Sequence, residues 1–148
     1  MPNKHLETIT LSPRDSVRRA LAVLAENKPE KTHLPAGIVL VTDKHQKLLG
    51  IATDGDIRRA LVRGVSIDAP VREAMNRQVF TVEGPKDPSA ILSEAVTKMR
   101  EKGWHQHRLD RVVVVDKGGR VIDLVSLLDL SVASDIRFKR IAVVGLGY

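Results

Sequence analysis

Two stretches of this chain carry the same succession of residue types 73 positions apart, and no other feature limits the fold as much. Leu48-Leu49-Gly50-Ile51-Ala52-Thr53-Asp54-Gly55-Asp56-Ile57-Arg58-Arg59-Ala60-Leu61 reads as a short apolar strand running without a loop into a helix. Arg120-Val121-Ile122-Asp123-Leu124-Val125-Ser126-Leu127-Leu128-Asp129-Leu130 reads the same way. Thr53 matches Ser126 and Asp56 matches Asp129 at that one offset, which holds without a gap from Val39 against Val112 to Leu61 against Ser134. The earlier parts of the two copies align only with small insertions.

Each copy reads strand, helix, strand, strand, helix. In the first, Thr8–Leu11 alternates as a strand and Ser12-Pro13-Arg14-Asp15 is a helix start. Val17, Ala20, Leu21, Leu24 and Ala25 follow at helical spacing, and the polar stretch from Asn27 to Ala36 reads as a loop. Ile38–Val41 and Leu48–Ala52 are apolar strands, and a helix from about Asp54 to Arg63 stops at Gly64. In the second copy the strands are Val79–Val82, Val112–Val115 and Val121–Val125. Its helices are Pro88–Lys102 and a last one near Ser126–Ala133. The expectation is an α+β chain of two β-α-β-β-α repeats, 1–65 and 66–134, with a tail over 135–148. Each unit is too small to bury a large core alone, so the two should pack with pseudo-twofold symmetry.

Thr53 with Asp56 three residues on places a hydroxyl, a carboxylate, exposed N–H groups and the positive end of a helix dipole together, which suits a ribose and a phosphate. The same spacing is that of a capping box, worth about 1 kcal/mol as a helix end. Two copies in one register favour the ligand reading at Thr53, while Ser126 and Asp129 stay open between the two. Arg58 is placed to reach a phosphate as a planar donor, whereas Arg59 reads as a solvated helix residue.

Composition narrows the function. Net charge is +6, which favours anionic partners, but the basic residues are scattered and only 3% of the chain is aromatic, against a nucleic-acid surface. With no cysteine there are no disulfides or thiolate metal sites within these residues. His33, His105 and His107 have no partner carboxylates placed with them, so no metal is expected. No nucleophilic triad or acid–base pair can be assembled, and the chain is read as non-catalytic. No apolar run approaches a membrane span and no secretory signal is visible, so a cytoplasmic protein is expected.

Gly50-Ile51-Ala52-Thr53-Asp54-Gly55-Asp56 and Leu124-Val125-Ser126-Leu127-Leu128-Asp129 resemble the strand-to-helix motif of a tandem CBS domain pair, or Bateman module, over about residues 6–134. Thr-Asp-Gly-Asp-Ile-Arg-Arg with Met75-Asn76-Arg77 is most similar to CBS pairs attached to sugar-phosphate and sugar-nucleotide enzymes. The resemblance implies a regulatory sensor of an adenine nucleotide (AMP, ADP or ATP) acting on an attached or partner enzyme, and a homodimer. It implies that Asp56 and Asp129 accept from ribose hydroxyls, that Thr53 and Ser126 face phosphate, and that the strands of Val39 and Val112 wall an adenine slot. The second copy departs from the pattern. Asp123 stands where Gly50 does, adding negative charge near the expected phosphate end, and Ser131 replaces Arg58, so the Thr53 pocket is favoured. The rival reading is a structural dimerisation module with vestigial pockets.

Arg140-Ile141-Ala142-Val143-Val144-Gly145-Leu146-Gly147-Tyr148 resembles the first strand and glycines of a nucleotide-sugar dehydrogenase Rossmann domain. A dinucleotide site needs a third glycine and a following helix. On this reading the chain is the regulatory segment cut from such an enzyme.

Overall fold

The computed structural model describes residues 2–102, 111–127 and Leu130. A 3-10 turn at Leu6–Ile9 leads into β1 (Thr10–Leu11). The expected strand at Thr8 is a turn because two threonine side chains take up its carbonyls: Thr8 Oγ1 donates to His5 O and Thr10 Oγ1 to Leu6 O, both at 2.6 Å. Helix α1 (Val17–Glu26) starts later than expected. Ser12–Asp15 closes on itself through Ser12 N to Asp15 Oδ2, and Ser16 is the cap, its side chain accepting from Arg19 N. Within the expected loop lies a single helical turn, α2 (Pro29–Thr32), ended by His33 at φ 61°. The repeat closes with β2 (Ile38–Thr42), β3 (Leu48–Thr53) and α3 (Asp54–Val62), and Gly64 leaves the helix at φ 100°.

The second copy comprises a 3-10 turn at Val71–Glu73, β4 (Thr81–Glu83), α4 (Pro88–Lys102), β5 (Arg111–Val115) and β6 (Val121–Ser126). The last expected helix, apart from Ser126, Leu127 and Leu130, the His105/His107 pair and the glycine-bearing tail lie outside the described residues.

Two three-stranded sheets result, ordered β1-β2-β3 and β4-β5-β6, each with one parallel and one antiparallel pairing. The duplication extends to single residues. Ile38 pairs with Thr53 as Arg111 does with Ser126, and the register slips after Val41 as it does after Val114. Both antiparallel turns are tied by an aspartate: Asp43 accepts from the His45 and Lys47 N–H groups, and Asp116 from those of Gly118 and Arg120.

These turns meet at the centre of the molecule. Lys47 and Arg120, equivalent residues, face each other in an antiparallel bridge. Leu48 N donates to Gly119 O at 3.2 Å and Val121 N to Gln46 O at 3.1 Å, two bonds that exchange when the repeats are swapped. An approximate twofold axis therefore passes between the turns.

The core is shared because β5 is buried on both faces. Val112 and Val114 pack with Phe80, Val82 and Ile91 on one side, while Val113 joins Val39, Leu40 and Ile57 of the first repeat on the other. Each repeat also borrows an edge. Met75–Asn76, ahead of β4, pairs with β3 through Ile51 N to Asn76 O and Asn76 N to Ile51 O. Asn3, ahead of β1, pairs with β6 through Asn3 N to Ile122 O at 2.9 Å. Among the described residues no helix is long and apolar enough to cross a membrane.

Candidate functional site

The first strand-to-helix junction forms a complete capping box. Thr53 has extended backbone, ends β3, and its Oγ1 accepts from Asp56 N at 3.2 Å. Asp56 Oδ2 accepts in return from Thr53 N at 3.0 Å and Thr53 Oγ1 at 2.9 Å. The carboxylate lies against the positive end of α3 with its side chain only 14% exposed. Its other oxygen, Oδ1, accepts from Arg59 Nη2 at 2.8 Å.

The two arginines divide by helical spacing. Arg59, three residues along the helix, stands over Asp56 and also lies against Gly55, while Arg58 is exposed and turned away by the helical spacing. Chemically, Asp56 is a fixed acceptor whose outer oxygen is covered by a cation that is itself 68% exposed. A pair of vicinal hydroxyls could take that oxygen by displacing or sharing it with Arg59.

Gly50 is required by a close approach. A Cβ there would stand 2.8 Å from Asn76 O and 2.9 Å from Met75 Sδ, so the borrowed edge strand could not seat. Val39 and Val112 are wholly buried in their sheets, on Ala52 and Val125. Their strands are covered on both faces, so neither side chain walls an open slot as expected.

At the second junction Ser126 ends β6, half-buried, and Asp129 lies outside the described residues. Asp123 is not near the helix start. Three residues back along an extended strand, it is about 10 Å from Ser126. Its Oδ1 accepts from Asn3 Nδ2 at 3.1 Å and from Leu124 N at 2.8 Å. Beside it a cavity of about 480 Å³ opens, walled by Asn3, Asp123, Leu124 and Val125 on one side and by His33 and Leu34 from the α2–β2 connection on the other. That volume suits a nucleoside-sized molecule.

Three contributors escaped the sequence reading. Asn3 and His33 reach the cavity from segments distant in sequence. Arg111 faces Ser126 across the β5–β6 pair, with its guanidinium against Gly37, where an added Cβ would come within 3.0 Å of Nη2. Its signal was available: Arg111 occupies the place of apolar Ile38, so a cation enters the second copy where the first has none. Among the described residues no group of three or more potential metal ligands is gathered.

A duplicated α+β unit, swapped about a central axis and carrying a Thr/Ser-x-x-Asp junction, defines a tandem-repeat module. The CBS domain family matches residues 4–63 and 71–135, and the chain belongs to that family. CBS pairs commonly bind adenosine ligands as regulatory modules and are generally non-catalytic. Among curated proteins, arabinose 5-phosphate isomerase KdsD of Pseudomonas aeruginosa is 38% identical over 101 residues, covering 68% of this chain and 28% of that protein. This chain thus spans little more than a quarter of that relative's length. Among solved structures, the CBS domain pair of protein MJ0100, in complex with 5′-methylthioadenosine and S-adenosyl-L-methionine, aligns with a TM-score of 0.59 at 27% identity, covering 83% of this chain and 84% of that one. CBSX2, in complex with AMP, shares the fold with a TM-score of 0.61 at 21% identity over 88% of each chain.

Proposed function

We propose that the chain is a regulatory module that binds an adenosine-containing ligand, of the AMP, ADP or ATP type, and biases an attached or partner enzyme of sugar-phosphate or sugar-nucleotide metabolism. The observation that carries this reading is the Thr53–Asp56 junction, a pre-set carboxylate at a helix start, with Ser126 ending β6 in the same strand register. Asp56 takes the ribose hydroxyls. Thr53 and the α3 N-terminus face phosphate, with Arg59 or Arg58 as cation. By the repeat, Ser126 and Asp129 take the corresponding roles in the second copy, with Arg111 opposite Ser126 on β5. The adenosine ligands of the MJ0100 pair and the isomerase relatives support the ligand class and the partner enzyme. Regulation then requires that ligand bind one arrangement of the two repeats better than another.

The test is thermal unfolding with each adenosine ligand in excess. A ligand at 100 times its dissociation constant adds about 2.7 kcal/mol of stability. The reading holds if one ligand shifts the transition and Asp56→Ala abolishes the shift; it fails if none does.

A second reading, a homodimerisation module with vestigial pockets, is favoured by two observations. Both Asp56 oxygens are already engaged, and Leu61 and Val62 on α3 expose apolar surface, Val62 to 84%. It predicts dimers by light scattering that dissociate in Val62→Glu, with no ligand response.

A further inference from the structure

The β6 cleft differs from its counterpart in one chemical respect: a carboxylate, Asp123, stands where the first repeat has Gly50. Only half-buried, Asp123 spends one oxygen on Asn3 Nδ2 and Leu124 N. Its second oxygen, Oδ2, receives no hydrogen bond from the described residues, so an acceptor is left over in the wall of a cleft whose other walls include Leu34, Leu124 and Val125. Asn3 is fixed in the complementary sense. Its Oδ1 accepts from His5 N at 3.0 Å, so its nitrogen must face Asp123, and that nitrogen carries a second hydrogen. Among the described residues, an unused charged acceptor and an unused donor thus stand side by side in the wall of the cleft.

We propose that Asn3 and Asp123 together read the amidine edge of a nucleobase: Asp123 accepts from the exocyclic amino group and Asn3 donates to the adjacent ring nitrogen. Adenine and cytosine both present that edge. The inference rests on the adenosine-ligand reading above and deepens it by assigning a base-recognising pair to the second cleft. It also accounts for the departure from glycine at position 123. Where Gly50 lets the borrowed strand come close, Asp123 instead binds its borrowed strand through a side chain and keeps an oxygen for the ligand. The bond is charge-assisted, so it discriminates for the amino group.

The experiment is calorimetric titration of the full chain with adenosine against purine riboside, which lacks only the amino group, and with cytidine against its 4-deamino analogue. One amino-bearing nucleoside is expected to bind about tenfold more tightly than its partner. The arm that responds identifies the base. The gap should narrow in Asp123→Asn, which keeps shape and fold, and close in Asp123→Ala. Equal affinities within both pairs, or a gap that survives both Asp123 variants, overturns the base reading alone and leaves the adenosine sensor standing. Binding of neither adenosine nor cytidine overturns the base reading, and the adenosine-sensor reading falls with it only if AMP, ADP and ATP also fail to bind.

Discussion

Asp56 and Arg59 are joined at 2.8 Å across one turn of α3, on the outer side of a carboxylate whose inner oxygen is bound to Thr53. The two halves of this arrangement differ in energetic weight. Asp56→Ala removes the capping box and should cost about 1 kcal/mol in urea denaturation. Arg59→Ala breaks an exposed ion pair and should change stability by less than about 0.5 kcal/mol. In the same variant, nucleotide affinity should change several-fold. A stability loss equal to that of Asp56→Ala would show that Arg59 belongs to the cap.

Gly50→Ala puts a methyl group against a backbone oxygen and a sulfur at 2.8 and 2.9 Å. The sulfur can swing away but the carbonyl cannot without opening the Ile51–Asn76 pair. The expected loss is about 1–3 kcal/mol. Hydrogen exchange should quicken at the Asn76 and Ile51 amides before it does elsewhere in the sheet.

Leu124 lies on β6 of the second repeat yet is buried in the core of the first. Leu124→Ala should cost about 2–5 kcal/mol. Unfolding followed by far-ultraviolet dichroism and by amide signals from both repeats should remain one coincident transition, shifted downward. Separate transitions would mean that the cores are independent.

The Asp43 carboxyl is held below its ordinary pKa by the Lys47 amide that donates to it, and further by the amide and charge of His45. The folded state therefore prefers the ionised form. Its stabilising contribution is complete above the unfolded value of about 3.9 and is lost as pH falls through the lower folded value. Carbon-detected titration of the carboxyl should show a midpoint below that of a free aspartate, and Asp43→Asn should flatten the acid limb of the stability curve.

Much of the fold was readable because a duplication constrains itself. An offset that holds over 23 consecutive positions fixes which strands correspond, and the bulges, turns and registers follow it. Thr53 and Asp56 were legible for a local reason, since a capping box is written within four residues. The errors have local causes too. Thr8 and Ser12 sit in segments that look like strand and helix start until their side chains compete for backbone groups. The Arg59–Asp56 pair follows from i,i+3 spacing on α3, a relation that a search for phosphate donors does not look for. The slot at Val39 and Val112 comes from the family resemblance alone, and both side chains are wholly buried in strands covered on both faces. Asn3 and His33 were invisible for a different reason: they meet β6 from more than 80 residues away, and only the packed chain brings them there.

The exchange of edges has a mechanical consequence. Asn3 comes first in the chain but is fastened to the second repeat, and Met75–Asn76 lies between the repeats but is fastened to the first. Force applied at the amino end is therefore felt first not at the repeat that follows in sequence but at the β6 cleft, where Asn3 grips Asp123. Any unit joined ahead of Asn3 would hold the second cleft by a short leash, and a molecule entering that cleft would tug on the same line from the other end.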